Sequence, residues 1–154
     1  MKTLFTAEAI SKGGRSGFVQ APDWLLNVTL GNPPEPGAEK RGPNPELLFA
    51  NAYSACYHSA LISAAPRLGT PVEDSMVRAL VSLVEDDLGG GCLAVESHAQ
   101  LPQIERTQAH RIMDEAHKNC PYSKALRGDT IVQLRVDEPV LPAPPSAGTL
   151  LLSH

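Results

Sequence analysis

No basic block interrupts the 154-residue sequence: 13 lysines and arginines are outweighed by 17 aspartates and glutamates, for a net charge of −4. Nucleic acids and anionic membrane surfaces are drawn to clustered positive charge, so neither is expected as a partner. No stretch approaches the roughly 18 apolar residues of a membrane-spanning helix. The first residues, MKTLFTAEAISKGG, lack the apolar core of a secretory signal, and the expected location is the cytoplasm. Cysteine is scarce, with Cys56, Cys92 and Cys120 making an odd count. In a reducing compartment that excludes a disulfide framework and leaves room for at most a transient, catalytic bridge. No CxxC spacing occurs, which removes support for a zinc or thioredoxin-like site, and neither a metal nor a bound cofactor is expected.

What the sequence does contain is organised around Asn44 to Leu61, NPELLFANAYSACYHSAL. Asn44 is a candidate N-cap, Pro45 suits the first helical position, and Glu46 in the first turn is favoured by the positive end of the helix dipole. No charged residue follows until Arg67, and Pro66 and Gly69 are stop signals, so a buried helix is expected to about Ala65. Before it, short strands are expected over Leu4–Ile10 and Phe18–Val19 around the turn KGGRSG, and another over Trp24–Leu30. A proline-rich loop over Gly31–Pro43 then leads into the helix. After it, two long antiparallel strands, Val72–Asp86 and Cys92–Leu101, are joined through Asp87–Gly91. Apolar residues at helical spacing from Ile104 to Cys120 predict an amphipathic helix ended by Pro121, and Thr130–Val136 a last strand. The fold class is α+β, with one domain over 1–138 and a proline-rich tail over 139–154.

Cys56 lies inside a nearly uncharged helix, where a free thiol serves equally as a small apolar filler. Cys120, 64 residues later at the end of the second helix, stands where another segment can reach it. Arg15 sits between glycines in KGGRSG; from these residues alone an exposed hairpin tip with a solvated arginine is the plainer reading. His58 is two positions past Cys56 and should point away from it, as a packing or interface residue. His117 is expected as an exposed helix-end histidine. Phe49, Tyr53, Tyr57 and Leu61 read as core, and Tyr122 and Arg127 as fixing the turn after Cys120.

NPELLFANAYSACYHSAL, KNCPYSKALRGD and the early GGRSG together resemble the Ohr/OsmC family of thiol-dependent organic hydroperoxide reductases, and within it the Ohr branch, over about Leu4 to Val136. The resemblance implies an intertwined homodimer in which antiparallel sheets, six strands from each chain, wrap around paired central helices, with active sites at the interface. It implies that Cys56 is the peroxidatic cysteine, Cys120 the resolving one, Arg15 the catalytic arginine and Glu46 the carboxylate that holds it. It also implies organic, including fatty-acid, hydroperoxides as substrates and dihydrolipoamide or a lipoylated protein as reductant. An OsmC-type peroxidase, a redox sensor or an apolar-ligand-binding dimer are alternatives on the same fold. Two departures stand out: Asn51-Ala52 replaces the family's usual alanine–glycine pair, and Cys92 occupies a hairpin position usually held by glycine or an apolar residue. Cys92 is therefore read as non-catalytic.

The chemistry agrees with these implied roles. A thiol of pKa about 8.5 needs a fixed cation beside it to be a nucleophile at neutral pH. Ten residues of straight helix separate the backbones of Glu46 and Cys56 by roughly 15 Å, so Glu46, with Arg15, is expected to meet the Cys56 of a partner subunit. Non-reducing peptide mapping after one equivalent of oxidant should yield a Cys56–Cys120 disulfide with Cys92 unpaired; a bridge to Cys92 would contradict the pairing.

Overall fold

The computed structural model describes residues 2–22, 25–31, 42–128 and 130–138. Its longest helix, α1 (Pro45–Ala64), begins as the sequence dictates: the Asn44 side chain accepts a 2.8 Å bond from the Leu47 N–H, and Pro45 fills the first position. A single 3₁₀ turn at Pro66–Leu68 and Gly69, at φ +70°, end it. Only one face of α1 is covered. Tyr53, Tyr57, Leu61 and Ala64 are buried, whereas Asn51, Ala52, Ala55, Ser59, Ile62 and Ser63 on the opposite side are exposed. The expectation of a helix buried all round is thus met by half within one chain. On the open face the polar groups bond back to the helix's own carbonyls: Asn51 to Leu47, Ser59 to Ala55 and Ser63 to Ser59.

The covered face packs on strand β4 (Met76–Glu85) and on helix α2 (Arg106–Asn119). From α2 come Ala109, Ile112, Met113 and Ala116, all fully buried, and the Tyr57 hydroxyl donates to the Met113 carbonyl at 2.8 Å. Strand β4 pairs antiparallel with β5 (Gly91–Gln100), in a register that sets Val81 opposite Val95. Their hairpin is tied by the Asp86 carboxylate, which accepts the Leu88 and Gly90 N–H groups. The third strand, β6 (Ile131–Val136), lies parallel to β5, so this sheet is mixed and not wholly antiparallel. The reason is connectivity. A whole helical segment separates β5 from β6, long enough for the crossover that a parallel pair needs.

A second three-stranded antiparallel sheet comprises β1 (Ile10–Lys12), β2 (Phe18–Gln20) and β3 (Asn27–Thr29). The expected strand over Leu4–Ile10 is mostly absent: residues 2–9 carry no regular structure, and Leu4 and Phe5 are 85% and 84% exposed. A segment of strand composition becomes a strand only where an edge accepts it, and among the described residues no strand pairs with residues 4–9. Trp24, most of the proline-rich loop and the tail over 139–154 lie outside the described residues. Pro121 does not simply stop α2. Cys120 leaves helical geometry (ψ 124°), and Pro121 opens a further short helix, α3 (Pro121–Ala125), in the position where proline is best tolerated.

Leu61 is fully enclosed at the centre of this packing. Leu61→Ala should lower unfolding free energy by about 2–5 kcal/mol, read from urea denaturation at fixed protein concentration. A loss under 1 kcal/mol would mean that the α1–α2 contact is not the core.

Candidate functional site

The turn carrying Arg15 is shaped by its glycines. Gly13 adopts φ +80°, and a Cβ on Gly17 would lie 1.7 Å from the Lys12 carbonyl oxygen, so no other residue fits there. Between them a single 3₁₀ turn, Gly14–Ser16, directs Arg15 onto the start of α1. Its guanidinium grips the Glu46 carboxylate through both nitrogens, Nη1 to Oε2 at 2.9 Å and Nη2 to Oε1. Glu46 is nearly covered, with 11% of its side chain exposed, while Arg15 keeps 46%. The arginine's hydrogen bonds hold the Glu46 carboxyl below the usual range against the opposing effect of burial, and the same pair raises the Arg15 pKa further. Arg15 is therefore no free hairpin-tip charge but one half of a fixed fork.

The thiols form the second half of the site. Cys56 is half-buried on the flank of α1 and Cys120 is fully buried at the α2–α3 junction, their Sγ atoms 3.6 Å apart. That exceeds the roughly 2.05 Å of a disulfide, so both are reduced and in contact. Burial pushes the Cys56 thiol up; the Tyr122 backbone N–H opposes this by hydrogen-bonding the sulfur, and the neighbouring Cys120 adds to the rise. None of these influences is a cation. Both cysteines pack with Phe49, Tyr53 and Tyr57 in one apolar cluster, in which Phe49 and Tyr53 have centroids 6.1 Å apart and Tyr53 and Tyr57 6.0 Å; Phe49 also stacks on Tyr122 at 6.2 Å.

Each candidate pair is thus brought together, but the two pairs are not. Glu46 and Cys56 sit on one uninterrupted helix, with backbones roughly 15 Å apart. His58 bonds to the Ser75 hydroxyl at 2.9 Å, a packing role. His117 is not the exposed residue expected: it is half-buried, its Nδ1 is enclosed without a hydrogen-bond partner, and burial together with Arg127 lowers its pKa. Arg127 donates to the Lys118 carbonyl at 3.0 Å and so does fix the turn. Two groups escaped the sequence reading, the Tyr122 N–H at the Cys56 sulfur and the Ser123 hydroxyl, which meets the Tyr53 hydroxyl at 2.9 Å. The available signal was Pro121, read as a stop when it was also a start. Among the described residues no group of three or more histidine, cysteine, aspartate or glutamate side chains could hold a metal ion, and no helix is long and apolar enough to cross a membrane.

Fold and site together define an OsmC-like protein: the model of that family matches residues 37–135, and the chain belongs to it. Within the family it stands in the organic hydroperoxide resistance branch. OhrB of Bacillus subtilis is 35% identical over 86% of this chain and 98% of its own length, and its crystal structure superimposes with a TM-score of 0.81 over 88% of this chain and 100% of that one. The organic hydroperoxide resistance protein of Xanthomonas axonopodis pv. citri is 36% identical over 86% of this chain and 94% of that protein. A crystal structure from Legionella pneumophila, also described as an organic hydroperoxide resistance protein, has 38% identity and a TM-score of 0.80 over 88% of this chain and 99% of that one.

Because its folded pKa is lowered, Glu46 lends stability that is complete above the ordinary carboxylate range and is lost as the pH falls through the lowered value. A carboxyl NMR titration should find Glu46 ionising below the ordinary glutamate range, and Arg15→Gln should move it upward. An unchanged midpoint in that variant would contradict the pairing.

Proposed function

We propose that the protein is a thiol-dependent peroxidase that reduces organic hydroperoxides to alcohols. The observation that carries this reading is the 3.6 Å contact between Cys56 and Cys120 in a chain that also holds Arg15 in a two-pronged grip by Glu46. The names of its relatives support the same substrate class. The Cys56 thiolate takes one oxygen of the peroxide, the O–O bond breaks, and the leaving alkoxide is protonated to an alcohol. The Cys120 sulfur then attacks the Cys56 sulfenic acid, forming the disulfide and releasing water. An external dithiol, dihydrolipoamide or a lipoylated protein, reduces the bridge by exchange, and no bound cofactor takes part. Aromatic residues packed in the same cluster as the two cysteines support a preference for alkyl over small polar peroxides. The cytoplasm, where such dithiols are kept reduced, is the proposed location.

A homodimer completes the site. Within one chain burial raises the Cys56 pKa, opposite to what a nucleophile needs, and the activating arginine is committed to the far end of α1. A second copy lying along the open face of α1 would bring its own Arg15 and Glu46 to this chain's Cys56. Several features support that arrangement. The open face presents Ala52, Ala55 and Ile62, its polar groups are satisfied internally, and Leu4 and Phe5 stand exposed in a segment without regular structure. Asn51, bulkier than the family's usual residue, would lie in the same contact.

Cumene hydroperoxide should turn over with dihydrolipoamide far faster than hydrogen peroxide does, and Cys56→Ser should abolish the reaction; equal activity in the variant sinks the assignment. Mixed dimers test the shared site. Arg15→Ala and Cys56→Ser chains are each inactive alone, yet co-folded they should recover activity, because one site per heterodimer then holds a native Cys56 and a native partner Arg15. No recovery would place the arginine and the thiol in the same chain.

A further inference from the structure

The short helix α3 cannot hold its own position, since five residues are too few for a self-sustaining helix. It is hinged to α2 at Cys120, the residue that leaves helical geometry, so its placement sets where the Cys120 sulfur sits. Ser123 is the one fully buried side chain of α3, and its hydroxyl meets that of Tyr53, 0% exposed, at 2.9 Å. Tyr53 precedes Cys56 by three positions on α1, and Ser123 follows Cys120 by three. The hydroxyl contact therefore runs beside the thiol contact as a second rung between the same two segments.

We propose that the Tyr53–Ser123 hydrogen bond is a positioning latch that holds Cys120 against Cys56, so that a sulfenic acid on Cys56 is captured as a disulfide before a second peroxide reaches it. The inference rests on the peroxidase reading above and assigns the latch to the resolving step. Disulfide formation must bring the sulfurs from 3.6 Å to about 2.05 Å. In that step Cys120 loses its proton, its sulfur bonds to the Cys56 sulfur, and the sulfenic oxygen leaves as water. In the competing reaction a second hydroperoxide gives its oxygen to the sulfenic acid, releasing another alcohol and leaving a sulfinic acid that a dithiol does not reduce. With both hydroxyls sealed from water, neither Tyr53 nor Ser123 has a solvent partner to exchange into.

The test uses the full chain, titrated with cumene hydroperoxide in the absence of reductant, with disulfide and Cys56 sulfinic acid quantified by mass spectrometry. Tyr53→Phe and Ser123→Ala should each raise the sulfinic-to-disulfide ratio about fivefold, the equivalent of one net hydrogen bond. Each single variant also strands a buried hydroxyl, so stability is measured in parallel. The double variant Tyr53→Phe/Ser123→Ala strands none and should recover thermal stability while keeping the raised ratio. A wild-type ratio in the single variants overturns the latch, as does a double variant that recovers the ratio along with its stability. Wild-type protein that never forms the Cys56–Cys120 disulfide overturns instead the functional reading beneath it.

Discussion

Burial opposes the thiolate form of Cys56, and the rest of the site can be understood as the answer to that constraint. A half-buried sulfur in contact with a second thiol has its pKa raised, with the Tyr122 amide offsetting part of the rise. The cation that would reverse the shift is built with care elsewhere in the chain: Gly17, which no other residue could replace, and Gly13 at positive φ shape its turn, and a carboxylate at the head of α1 fixes its plane. Such an arrangement is uneconomical for one chain and natural for two. In the proposed dimer, α1 carries a thiol for one site and an anchor for the other, and its length sets their spacing.

Much of this was legible in the residues. The start of α1, the β4–β5 hairpin and the amphipathic face of α2 follow from local rules that tertiary context did not overturn: an asparagine cap before proline, glycines after an aspartate, apolar residues at helical spacing. The misreadings share a different origin. Leu4–Ile10 has strand composition, but a strand needs an edge, and an edge is not a property of the segment. The open face of α1 carries no charge and mixes alanine and isoleucine with small polar residues, so no periodicity distinguished it from the closed one. The parallel course of β6 is set by the crossover before it and leaves no mark in TIVQLRV.

Pro121 illustrates the limit most directly. Proline ends one helix and begins the next with equal ease, and the choice turns on whether the preceding residue leaves helical geometry. Cys120 does, and from that single dihedral follow α3, the amide aimed at Cys56 and the burial of Ser123. His117, one turn earlier, was misplaced for a related reason: at the end of a helix whose next element was unrecognised, it looked open to solvent, yet its Nδ1 is enclosed.

The separation of the two thiols along the chain has a consequence for the lifetime of the fold. A bridge between Cys56 and Cys120 closes a loop of 64 residues that contains the end of α1, the β4–β5 hairpin and all of α2. By chain-entropy estimates such a cross-link restricts the unfolded ensemble by about 4 kcal/mol. Under the proposed cycle the polypeptide would therefore alternate, once per turnover, between a tethered and an untethered state. Molecules waiting for reductant would be the ones most resistant to unfolding, so the protein would be sturdiest when peroxide is most abundant.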